Sequence, residues 1–138
     1  MCFFVCLALP RKNIQALERL AHPFEVTDAT AWSIGEATSG SLNRDRSFLI
    51  TSGGCSCFVA GVHHGSGESK LSAFQSLIRS LLQEAPCVSL LIHDTRGDIQ
   101  NESVTCKEKR LVSFDELPRH LPQLSLDVRY VVKKNPGE

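Results

Sequence analysis

Two cysteines one residue apart, Cys55 and Cys57, follow a glycine pair after the apolar run Phe48-Leu49-Ile50. If that run is a strand continuing through Cys57, side chains at i and i+2 share a face, so both sulfurs point the same way. Two co-facial thiols can grip a soft metal ion, form a strained redox pair, or pack into a core. Joined by Cys2 or Cys6 and by His63 or His64, they make a thiolate–imidazole set that suits zinc or copper(I). Cys2 and Cys6 stand four apart on an expected strand, roughly 13 Å from each other, so both cannot join one mononuclear centre. The expected ligands are therefore Cys55 and Cys57 with only one of Cys2 and Cys6, and one of His63 and His64. The spacing differs from a zinc ribbon, which needs two Cys-x2-Cys knuckles.

Other constellations carry less chemistry. As a redox pair, Cys55 and Cys57 would close a small ring of relatively oxidising potential. A reactive thiol also needs a nearby cation or helix N-terminus, and none is close in sequence. Cys2, exposed by methionine removal, could act as a nucleophile with its own amine as base; Phe3-Phe4-Val5 then stand where class II amidotransferases carry small residues. The stretch from Gly61 to Lys70 has the outline of a phosphate loop, but Glu68 occupies the place of the lysine. It reads as a capped turn, with Ser66 or Ser69 opening a helix. A Cys-His-Asp arrangement from Cys55 or Cys57, His63 or His93, and Asp94 has no local motif behind it. His22 and His120 border proline-containing helix ends and read as surface or capping residues.

The elements that must position these residues follow from apolar periodicity. Residues 2–9 are an unbroken apolar run, a strand buried on both faces and central in its sheet. Ile14, Leu17, Leu20 and Ala21 recur at helical spacing, and His22-Pro23 closes that helix. Residues 24–26 form a short strand. Residues 28–46, which contain the only tryptophan, Trp32, read as a long loop, with Trp32 either a core anchor or a contact residue. A strand over 47–51 and a helix with Leu71, Phe74, Leu77, Ile78, Leu81 and Leu82 on one stripe come next. Residues 87–92 are a buried strand, 104–112 a mostly polar strand suited to an edge or hairpin position, and Ser113-Phe114-Asp115-Glu116 a capping box. Alternation over 126–132 gives a last strand, and residues 133–138 a frayed tail. The order predicts an α+β fold: a mixed or antiparallel sheet carrying two main helices on one face, of ferredoxin-like sandwich character. A three-layer α/β arrangement is the alternative.

A chain of 138 residues is one domain's worth, long enough for a core without staples. Fifteen basic and fifteen acidic side chains cancel, so no global field favours nucleic acid or anionic lipid. The near-neutral pI removes one barrier to self-association, so a homo-oligomer or a protein partner is expected. The opening apolar run has no basic n-region and is far shorter than the roughly 20 residues of a spanning helix. A cytoplasmic address follows, in which the six cysteines are free or metal-bound rather than paired.

Met1-Cys2-x-Phe4 together with Thr51-x-Gly53-Gly54-Cys55-Ser56-Cys57 resembles small bacterial proteins that open Met-Cys-x-Phe and carry a later Cys-x-Cys after a Thr-x-Gly turn. The resemblance covers a dozen positions and implies no particular activity; it implies that the N-terminal strand and the Cys-x-Cys turn belong to one site. The expected function is that of a small binding or interaction protein with a thiolate metal site. A cysteine-dependent enzyme or thiol-redox protein is one alternative, and an inhibitor of the immunity-protein kind another.

Overall fold

The computed structural model describes residues 2–40, 44–60, 68–121, 123 and 125–135. The apolar opening run becomes β1 (Cys2–Pro10), third of six strands in one mixed sheet of order β2-β3-β1-β4-β6-β5. Its neighbours are β3 (Asp45–Thr51) and β4 (Cys87–Thr95), both antiparallel, with Leu7 opposite Phe48 on one side and Leu90 on the other. Beyond β3 lies the short edge strand β2 (Glu25–Asp28). Beyond β4 lie β6 (Val128–Lys133) and the edge strand β5 (Glu108–Ser113), the latter pair parallel. Central placement explains the composition of β1. A strand paired on both edges and covered on both faces has no position at which a charge could stay hydrated.

Each face has its own core. Val5, Leu7 and Leu9 of β1 alternate with Cys6 and Ala8; the first set enters one cluster and Cys6 the other. The larger cluster joins the first set to Ala16 and Leu17 of α1 (Ile14–Leu20) and to Phe74, Leu77, Ile78 and Leu81 of α3 (Glu68–Leu81). Burying side chains of this size contributes about 1.5–3 kcal/mol each, so the stripe on α3 is what fastens that helix to the sheet. Phe24, Phe58 and Phe74 stack within this cluster, with centroids 5.0 to 6.0 Å apart. The expected capping box is formed: the Ser113 N–H donates to Glu116 Oε1 at 3.0 Å ahead of the short helix α4 (Leu117–His120).

The opposite face departs from the sequence reading. Residues 33–39 are not loop but a third packed helix, α2 (Ser33–Ser39). Ile34 of α2 meets Cys6, Leu49 and Leu91 in the second cluster, so the molecule is layered on both sides of its sheet. Two turns of helix with a glycine inside carry too little periodicity to stand out in the sequence. That glycine is required: a Cβ on Gly35 would stand 1.8 Å from the Ala29 carbonyl oxygen. Residues 102–107 likewise form no strand; Val104 is instead buried in the second cluster, its N–H bonded to Ser33 Oγ at 2.8 Å. Among the described residues no helix is long and apolar enough to cross a membrane.

Candidate metal centre

The strand carrying the central cysteines ends earlier than its apolar run suggests. β3 stops at Thr51, and Ser52 and Cys55 close a two-residue hairpin, the Ser52 N–H reaching the Cys55 carbonyl at 2.8 Å. Gly53 and Gly54 lie between them at φ 70° and 92°. Both values belong to glycine's half of the map, and two successive positive φ angles are what a tight hairpin of this length needs. A 3-10 turn begins at Cys57. Cys55 and Cys57 therefore do not share a face by strand alternation. They converge because Ser56 between them points inward: it is fully buried, its hydroxyl donates to the Ile50 carbonyl, and its N–H donates to the Phe3 carbonyl at 2.7 Å.

That last bond fixes the third thiol. Phe3 is the neighbour of Cys2, so anchoring Ser56 to the start of β1 brings Cys2 to the flanking sulfurs. The ligand atoms of Cys2, Cys55 and Cys57 lie within 4.8 Å of one another, and the sulfurs of Cys55 and Cys57 are 3.1 Å apart. All three are free thiols and half-buried. Four sulfurs around zinc, each at 2.3 Å, stand roughly 3.8 Å from one another. The trio is thus close enough to hold a metal ion, with a small opening of the Cys55–Cys57 contact. The expected His63 and His64 lie outside the described residues.

Burial pushes the Cys55 thiol above its ordinary value, and the adjacent Cys57 sulfur pushes it the same way. At neutral pH such a group is protonated and a poor nucleophile, the opposite of the lowered value a catalytic cysteine needs. A metal ion would displace that proton. Cys6, the other N-terminal candidate, faces the second core: burial drives its thiol up to about 12, against the opposing bonds from Thr38 and Ser47.

The Cys-His-Asp arrangement is not assembled from His93 and Asp94. Successive residues of β4 face opposite sides of the sheet, and the His93 ring is tied not to Asp94 but to Asp127, Nδ1 to Oδ1 at 2.6 Å. Asp127 sits just before β6 at φ 59°, a conformation that aspartate tolerates better than most residues. The sequence offered no signal for this pair, because residues 34 apart meet only through strand order. Trp32 is half-buried: it packs on the second core and also lines an open groove. Comparison with protein-family models, curated proteins and solved structures returns no match.

Proposed function

We propose that this protein binds a soft metal ion, copper(I) or zinc, through the thiolates of Cys2, Cys55 and Cys57. The observation that carries the reading is the convergence of three free sulfurs from two distant stretches of chain within 4.8 Å. Thiolates select these ions over magnesium or calcium, which prefer oxygen. Copper(I) is satisfied by three sulfurs, whereas zinc calls for a fourth donor, a role open to water, His63 or His64. A reducing cytoplasm would keep the thiols available. Elemental analysis of protein purified without chelator is expected to find copper or zinc near one equivalent, and Cys55→Ser is expected to lose it. Metal below about a tenth of an equivalent, with no uptake on titration under reducing conditions, would remove the proposal.

The 3.1 Å contact between Cys55 and Cys57 supports a second reading, a dithiol–disulfide pair. Glutathione disulfide would accept the two electrons and leave as two glutathione thiols while the Cys55–Cys57 bond forms. Mass spectrometry after equilibration in glutathione buffers distinguishes the readings: a redox protein loses two hydrogens within the physiological range, and a metal protein does so only once stripped.

A further inference from the structure

On the α2 face, a groove of about 490 Å³ lies among Phe4, Trp32, Leu49, Glu25, Thr27 and Asp98. We propose that it binds a small organic ammonium ion. The site is separate from the metal centre: none of the three clustered cysteines lines it, and the two share only the hairpin that contributes Gly54.

Charge is the first argument. Glu25 and Asp98 both line the groove, and among the described residues no lysine, arginine or histidine does. Glu25 Oε1 accepts from Thr51 Oγ at 3.1 Å and from the Gly54 N–H at 3.2 Å. Asp98 accepts from the Gln100 N–H at 3.0 Å and from Asn101 Nδ2 at 2.8 Å. These neutral donors hold both carboxylates in place without cancelling either charge, and among the described residues neither acid has an ion-pair partner. An anion would be repelled from such a groove, and a neutral apolar molecule would strip water from two unpaired carboxylates.

The aromatic walls are the second argument. Phe4 and Trp32 offer ring surface, on which an organic cation gains a quadrupole attraction as well as apolar contact. A hard divalent ion gains nothing from either ring and seeks six or more oxygens. The volume falls within the range of sites that hold small molecules. Organic ammonium is the ligand class that uses every part of this lining.

Trp32 is the chain's only tryptophan and a built-in reporter. Its emission would be followed while 2-phenylethylammonium, the neutral 2-phenylethanol and the anionic 3-phenylpropionate are each added at fixed ionic strength. Saturable binding is expected for the ammonium ion, about tenfold tighter than for the alcohol and with none for the carboxylate. Glu25→Gln and Asp98→Asn preserve the acceptor oxygens and are each expected to weaken the ammonium ion about fivefold or more. Equal binding of the alcohol, unchanged affinity in both variants, or displacement by equimolar magnesium or calcium would overturn the proposal. If one variant fails to fold, the other and the wild-type selectivity decide it.

Discussion

A thiol becomes a metal ligand only on losing its proton, so the environment of each sulfur sets how the centre responds to pH. Burial and the neighbouring Cys57 sulfur raise the Cys55 value, so near neutrality a metal bound through this thiol would expel its proton, and affinity would climb with pH. Isothermal titration between pH 6 and 7.5 is expected to show affinity rising up to about tenfold per pH unit for each thiol that ionises. A flat profile would show that the thiols are not the ligands. Cys6 makes a separate prediction. Its folded value of about 12 lies above the ordinary 9.0. The unfolded chain therefore ionises Cys6 from about pH 9 while the folded protein does not. Stability held below pH 9 is lost as pH rises toward 12, by up to ~4 kcal/mol. Denaturant unfolding of Cys6→Ala should show a deficit against wild type that narrows over that interval.

At the scale of elements, the hairpin Ser52–Cys55 decides whether the centre exists. Among the described residues nothing stands near a would-be Cβ on Gly53 or Gly54, so a substitution there acts through backbone conformation. Gly53→Ala at φ 70° is expected to cost about 1 kcal/mol by urea unfolding and to weaken metal affinity, because the strain relaxes by moving Cys55. Loss of stability with metal affinity untouched would mean that the hairpin does not present the ligand. Ser56 completes the device: its buried hydroxyl and N–H tie the turn to β3 and β1, leaving the flanking sulfurs to meet Cys2.

Across the whole molecule, the three converging thiols come from two places more than fifty residues apart, the start of the central strand and the turn after β3. An ion bound there holds only the folded arrangement and must stabilise it by mass action. At a hundredfold excess over Kd that amounts to about 2.7 kcal/mol, a rise in Tm of roughly 9 °C for a domain of this size. Wild type should show the rise with copper(I) or zinc under reducing conditions, and Cys2→Ser should lose most of it. An equal rise in Cys2→Ser would place the ion elsewhere.

How far each feature was legible depended on whether its cause was local. The central strand, the stripe on α3, the edge position of β5 and the capping box at Ser113 are written in periodicity and spacing, because burial acts on every residue of such a segment alike. The two central cysteines were singled out correctly as neighbours but through the wrong geometry, since a Gly-Gly hairpin and an inward Ser56 replaced strand alternation. Helix α2 was missed because seven residues with a glycine at the Ala29 contact owe their helicity to the sheet beneath them. The sequence by itself determined which segments bury themselves and which side chains carry sulfur. Tertiary structure alone decided that Cys2 and not Cys6 faces the turn, that His93 is held by Asp127, and that Glu25, Trp32 and Asp98 share a groove. Those meetings are set by strand order and register, which pair residues without regard to their distance along the chain.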